Sequence, residues 1–135
     1  MAYIALGSNL GDRDEHLARA RDAIARLPSS RVVAESAIEE TAPLGQLDQP
    51  MYLNQMVALE TSLTPRQLLS GLQAIERQEG RARRERWESR TLDLDIVCFD
   101  AQTARETDLE IPHPGLADRP FWQRELAALR VGEQR

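Results

Sequence analysis

Arg90-Thr91-Leu92-Asp93-Leu94-Asp95-Ile96 alternates apolar and polar side chains with a period of two, the pattern of a strand whose Leu92, Leu94 and Ile96 face a core. Asp93 and Asp95 then share the opposite face, their α-carbons about 7 Å apart. Two like charges at that spacing, partly withdrawn from water, repel each other unless a cation sits between them. Hard oxygen donors with no pair of His or Cys nearby point to magnesium or manganese rather than zinc, and magnesium commonly brings phosphates with it. The plain alternative is a D-x-D pair facing solvent on a half-exposed sheet. The residues just upstream favour the metal.

From Arg77 to Arg90 the chain carries six arginines (77, 81, 83, 84, 86 and 90) against three glutamates, although its overall net charge is −5. All 17 basic residues are arginine, so a phosphate-binding loop built on lysine is excluded. Planar guanidinium forks suit phosphate and carboxylate oxygens. Taken alone, such a run reads equally as a solvated basic loop or a nucleic-acid patch. Leading into paired aspartates, it reads as the cationic part of a site for an anionic polyphosphate substrate, where metal and arginine neutralise charge together.

A chain of 135 residues fits one domain, residues 1–135, with a core large enough to fold unaided. The acidic balance argues against general nucleic-acid or membrane binding. The single cysteine, Cys98, lies in an apolar setting and has no internal disulfide partner, which suits a reducing compartment. The first apolar run is interrupted at Ser8 and Asn9, too early for a signal peptide or a membrane span. These readings predict a cytoplasmic protein.

Tyr3 to Leu6 reads as a first strand, and Gly7 to Asp12 as a glycine-bearing turn. Leu17, Ala20, Ile24 and Leu27 recur at helical spacing before Pro28 breaks the pattern. His16 has no partner at metal spacing and reads as a surface helix residue without a role. A second strand begins near Arg31 and runs through Ile38, and Thr41 to Pro50 forms a long loop with two prolines. A third strand covers Tyr52 to Glu60 and projects Tyr52 and Asn54 together. Thr64, Pro65 and Gln67 form the capping pattern of a second helix that Gly80 ends. A fourth strand from Thr91 to Phe99 completes a β-α-β-β-α-β order, the α+β ferredoxin-like split sheet. A short C-terminal addition follows, with weak strands, Ile111-Pro112-His113-Pro114, a loop holding Phe121, and a helix over Gln123 to Leu129.

Such sheets host many functions, so the motifs must narrow the choice. Gly7-Ser8-Asn9, Thr41-x-Pro43-Leu44-Gly45, Tyr52-Leu53-Asn54, Arg81-x-Arg83, Trp87, Arg90-Thr91-Leu92-Asp93-Leu94-Asp95, Pro112-His113-Pro114 and Arg119-x-Phe121 occur in one order. In that combination the chain, from Tyr3 to about Phe121, strongly resembles the 6-hydroxymethyl-7,8-dihydropterin pyrophosphokinases of folate biosynthesis. Members transfer the terminal pyrophosphoryl group of ATP to the pterin hydroxymethyl oxygen and release AMP.

The resemblance implies that Asp93 and Asp95 hold two magnesium ions with ATP, and that Arg81 and Arg90 join them as catalytic residues. Gln73, Glu76, Arg81, Arg83, Trp87, Arg90, Ile96, His113 and Arg119 fall at ATP-binding positions, with Trp87 in a loop that closes over the site. Tyr52 and Phe121 would sandwich the pterin ring, while Asn54 and the segment Thr41, Pro43, Leu44 and Gly45 would meet its polar edges. No nucleic acid or membrane is implied as a partner, and a monomer is expected. After Phe121 the family continues with an apolar segment and a proline, whereas this chain reads Trp122-Gln123-Arg124-Glu125. Glu106 to Glu110 is also more acidic than a nucleotide wall would suggest. These departures motivate an alternative, a non-catalytic or substrate-shifted paralogue that binds pterin or nucleotide. A small RNA-binding module built on the arginine loop is a third reading, and it leaves the paired aspartates unexplained.

Overall fold

The computed structural model describes residues 1–42, 51–79, 92–100 and 102–133, the last three as backbone alone. Its elements run β1 (Ala2–Ser8), α1 (Arg13–Ala25), β2 (Ser30–Glu35), β3 (Glu39–Thr41), β4 (Tyr52–Thr61), α2 (Pro65–Gln78), β5 (Asp93–Phe99), β6 (Ala104–Glu106), β7 (Leu109–Ile111) and α3 (Pro120–Glu133). The main sheet has the order β2-β4-β1-β5, with β3 also pairing β4, and every pairing is antiparallel. This is the split β-α-β-β-α-β arrangement read from the sequence. The hairpin β6-β7 and α3 form the addition.

Both faces of the sheet are covered. Ile4, Leu6, Val57, Leu59, Leu94 and Ile96 pack with Leu17, Ile24, Leu68 and Leu72 of α1 and α2. On the other face Tyr3, Ala5, Met56, Ala58 and Val97 pack with Trp122, Leu126 and Leu129 of α3. A one-residue slip of β5 would turn Leu92, Leu94 and Ile96 out of the first cluster, at about 1.5–3 kcal/mol for each side chain. Burial therefore fixes the face on which the aspartates lie.

Several elements differ from the sequence reading. β1 continues through Gly7 and Ser8 because both neighbours pair with it there, Gly7 opposite Asn54 and Asp93. The expected long second strand is two short ones, since the Ser36 hydroxyl takes the Met56 N–H in place of a ladder carbonyl. α1 starts at Arg13, with Asp12 accepting from the Glu15 N–H. The capping box of α2 forms as expected, Thr64 and Gln67 bonding each other's backbone N–H groups. Phe121 lies within α3, not on a preceding loop: Pro120 occupies a first-turn position that needs no N–H, and Arg119 carbonyl accepts from Trp122 and Gln123. In β5 the register shifts where Val97 stands unpaired between Ile96, opposite Ile4, and Cys98, opposite Tyr3. The bulge returns Phe99 to the helix-covered core.

His16 has a firmer setting than a surface position. Its Nδ1 lies 2.9 Å from Glu79 Oε1, and both side chains are largely buried. Glu79 also accepts from Arg19 Nε at 3.0 Å. Cys98 is buried and forms no disulfide, as expected. Among the described residues no helix is long and apolar enough to cross a membrane.

Candidate active site

One row of side chains crosses the sheet on its α3 face. Gly7 sits in β1 between Asn54 of β4 and Asp93 of β5. A Cβ added at Gly7 would lie 3.2 Å from Asn54 Oδ1 and 3.5 Å from Tyr52 Cδ1, so glycine leaves the floor open beneath these two residues. Tyr52 and Asn54 thus share a face, as strand periodicity predicts. Asn54 is buried, and its Nδ2 donates to Thr41 Oγ1 across the β3-β4 pair. Ala5 stands opposite Asp95 in the next row and adds only a methyl group there.

β5 is the edge of the sheet, and neighbouring elements take up its outward backbone groups. Glu76 of α2, itself buried, accepts the Leu94 N–H at Oε2, 2.8 Å away. That peptide lies between the two aspartates. The Val97 carbonyl at the bulge accepts the His113 N–H at 2.8 Å. His113 is thereby set beside Asp95, its Nε2 3.6 Å from Oδ1. The Gly115 N–H donates to His113 Nδ1 at 2.9 Å. The ring hydrogen is therefore assigned to Nε2, the nitrogen facing Asp95. Arg119 Nη1 donates to the Gly115 carbonyl at 3.1 Å, and its guanidinium lies over Trp122, 4.7 Å from the ring centre. Trp122 also meets His113 edge-on at 4.9 Å. Thus Trp122 is the core aromatic, while Phe121 is only partly buried beside it.

A cleft of about 240 Å³ opens next to Asp95, lined by Ile96, Leu69 of α2, His113 and the turn of the β6-β7 hairpin. Ile96 and His113, both expected at the nucleotide, are thus brought together. Gln73 lies exposed on α2, one turn before buried Glu76. The acidic hairpin does not face the cleft uncompensated. Arg66 of α2 donates from Nη1 to Asp108 Oδ2 at 2.8 Å and from Nη2 to Glu106. The Asp108 bond is the larger cause of a raised Arg66 pKa, and the same bond holds Asp108 below the usual carboxylate range.

Pro43, Leu44, Gly45, Arg81, Arg83, Trp87 and Arg90 lie outside the described residues. Three features went unread in the sequence: the Glu76 bond to the aspartate strand, the His113–Gly115 contact and the neutralising role of Arg66. Glu76 carried a signal, because an acid on the apolar stripe of a helix needs a donor to be buried.

The family model described as 7,8-dihydro-6-hydroxymethylpterin-pyrophosphokinase matches residues 3–131. A 2-amino-4-hydroxy-6-hydroxymethyldihydropteridine pyrophosphokinase of Pseudomonas aeruginosa is 46% identical over 127 residues, covering 94% of this chain and 78% of that protein. The enzyme of the same name from Haemophilus influenzae is 44% identical over 120 residues, 89% of this chain and 75% of its own. That from Bacillus subtilis is 42% identical over 129 residues, 96% and 77% of the two chains.

Proposed function

The chain belongs to the 7,8-dihydro-6-hydroxymethylpterin-pyrophosphokinase family, and from that premise we propose how its residues divide the reaction. The protein is a diphosphotransferase of folate biosynthesis that moves pyrophosphate from ATP to 6-hydroxymethyl-7,8-dihydropterin. The substrate hydroxyl oxygen bonds the β-phosphorus as the bridge to the α-phosphate breaks. AMP leaves with that electron pair, and the hydroxyl gives up its proton. No protein nucleophile is required.

Asp93 and Asp95 would hold the magnesium ions that accompany ATP. Their donor set fits: all-oxygen, on one face of an edge strand, with Gly7 and Ala5 leaving the adjoining rows open. Magnesium held there would supply positive charge against the triphosphate oxygens. His113 flanks Asp95, its Nε2 3.6 Å from Oδ1, and the cleft beside Ile96 receives the nucleotide. Arg119 lies at the His113 turn and adds a cation on that side. Arg81, Arg83 and Arg90 compensate the remaining phosphate charge, with Trp87 in the same segment and Gln73 and Glu76 on the adjoining helix. Tyr52 and Phe121 hold the faces of the pterin, Asn54 and Thr41 its polar edges, and Pro43, Leu44 and Gly45 continue that wall. The protein works as one cytoplasmic domain and as a monomer.

The observation that supports this reading is the row Asn54–Gly7–Asp93, in which glycine leaves the sheet open between a buried amide and the paired carboxylates. Incubation with ATP, magnesium and the hydroxymethyl pterin tests it. AMP and pterin diphosphate are expected in equal amounts. ADP as the sole nucleotide product, or no turnover by folded protein, refutes it.

A further inference from the structure

The transfer chemistry makes no use of a carboxyl group buried under α3. Glu125 lies one turn beyond Phe121 and is 3% exposed, and among the described residues no donor meets either of its oxygens. Glu39 of β3 is its neighbour. Oε1 of Glu39 is also buried with no donor among the described residues, while Oε2 accepts from Arg124 Nη2 at 3.1 Å. Consecutive residues of α3 therefore converge on one side chain of β3. Met56 and Ala58 of β4 and Ala34 of β2 contribute apolar side chains to the cluster that packs with this helix. Glu39 and Arg124 are the charged groups that act on Glu125.

Two carboxylates in contact, with water excluded, do not both stay ionised. A single proton on Glu125, donated toward Glu39 Oε1, satisfies the orphaned oxygens at once. Burial first, and Glu39 second, push the Glu125 carboxyl up to about 9. Glu39 is held below its ordinary value by the bond from Glu125 and by Arg124.

The pair sits at a joint. Glu39 is the register partner of Asn54, and Thr41, two residues on, bonds the Asn54 amide. Glu125 follows Phe121 by a single turn of a rigid helix. We propose that neutral Glu125 is a positioning residue for the pterin, its carboxyl hydrogen bond to Glu39 fastening the Phe121 end of α3 to the β3-β4 edge that carries Thr41 and Asn54. This rests on the pterin lying between Tyr52 and Phe121 as set out above. Ionising Glu125 sets two negative charges face to face and parts the walls of that pocket. The cleft beside Asp95 and His113 is lined by β5, α2 and the turns on either side of β7, with no residue of α3.

Calorimetric titration with 6-hydroxymethylpterin, in the presence of magnesium and an unreactive ATP analogue, tests this between pH 7 and 10. The parent is expected to lose about fivefold or more in affinity beyond the loss due to the ligand's own titration. Glu125→Gln keeps a neutral donor, so it should match the parent within about twofold at pH 7 and show only the ligand's share at pH 10. Glu125→Leu fills similar space without a donor and should weaken pterin binding about tenfold at pH 7, with affinity for the ATP analogue unchanged. Glu39→Gln removes the facing charge but keeps an acceptor, and should also abolish the excess alkaline loss, giving a reading even where Glu125→Leu fails to fold. Carbon-13 spectra of labelled glutamate supply an independent readout: one carboxyl titrating near pH 9 in the parent and missing in Glu125→Gln. An alkaline loss equal to the parent's in either Gln variant, or parent-like binding by folded Glu125→Leu, overturns the proposal. Tyr52→Ala and Phe121→Ala separate the premises. If both bind pterin normally, the pocket assignment fails; if both weaken while folded Glu125→Leu does not, only the positioning role fails.

Discussion

Replacing Glu76 with alanine tests whether the aspartate strand is held in place from α2. Glu76 accepts the Leu94 N–H at 2.8 Å in a setting where acid and peptide are both buried. A charge-assisted bond of this kind contributes about 1.5–3 kcal/mol, and removing the acceptor leaves a buried N–H unpaired at a cost of about 1–3 kcal/mol. The truncation also empties part of the α2–β5 contact, so a total loss of about 3 kcal/mol is expected for Glu76→Ala. Glu76→Gln retains an oxygen acceptor but loses its charge, and should cost about 1 kcal/mol. Urea unfolding at pH 7 measures both variants, and magnesium titration of turnover shows whether the Leu94 peptide matters to the aspartates on either side. Glu76→Ala should need more magnesium for half-maximal rate, whereas Glu76→Gln should stay near the parent. The reasoning is refuted if Glu76→Ala unfolds within about 0.5 kcal/mol of the parent and has the same magnesium requirement.

Asp95→Ala should lower turnover at least about a hundredfold without unfolding the protein, the scale of losing a metal-centred electrostatic contribution; steady-state rates and circular dichroism check both halves. Tyr52→Ala and Phe121→Ala should each weaken pterin binding by about 1–3 kcal/mol, the worth of stacking on a nucleobase-like ring, while calorimetry shows ATP binding little changed. Arg66→Ala uncovers Glu106 and Asp108 beside the cleft, so ATP binding should fall about fivefold at low salt and recover partly as salt rises. Glu125→Gln should stabilise the fold at neutral pH. With its carboxyl at about 9 when folded and near 4.5 when unfolded, the parent's unfolded state sheds a proton that the native state keeps, and stability from this group falls as pH rises through that window. At pH 7 the cost is about 3 kcal/mol before screening and about 1–2 kcal/mol after it. Thermal melts at pH 5 and pH 8 should separate parent and variant further at the higher pH.

Where a side chain's place follows from a local period, the sequence was sufficient. Alternation put Leu94 and Ile96 in the core and set Asp93 with Asp95, and the same rule joined Tyr52 to Asn54. Thr64-Pro65-x-Gln67 is a self-contained cap, readable without tertiary knowledge. Features that depend on a distant partner stayed hidden. The break between β2 and β3 comes from the Ser36 hydroxyl reaching the Met56 N–H, and the burial of His16 comes from Glu79 at the far end of another helix. The acidity of Glu106 to Glu110 looked hostile to a nucleotide because the compensating Arg66 lies about forty residues earlier. Ion pairing across that separation leaves no periodic trace.

The edge position of β5 links these hidden contacts to the chemistry. An edge strand exposes N–H and C=O groups that would otherwise template pairing with another chain. Here the Leu94 N–H goes to Glu76 and the Val97 carbonyl to the His113 backbone. Both bonds blunt the edge. They also deliver α2 to one flank of the aspartates and the His113 turn to the other, leaving the carboxylates half-exposed on a strand whose backbone is held. The Val97 bulge is part of the same arrangement: it presents its carbonyl to His113 and lets Phe99 regain the core after the aspartates have been set on the open face. Protection of the sheet edge and orientation of the aspartate face thus rest on the same two hydrogen bonds.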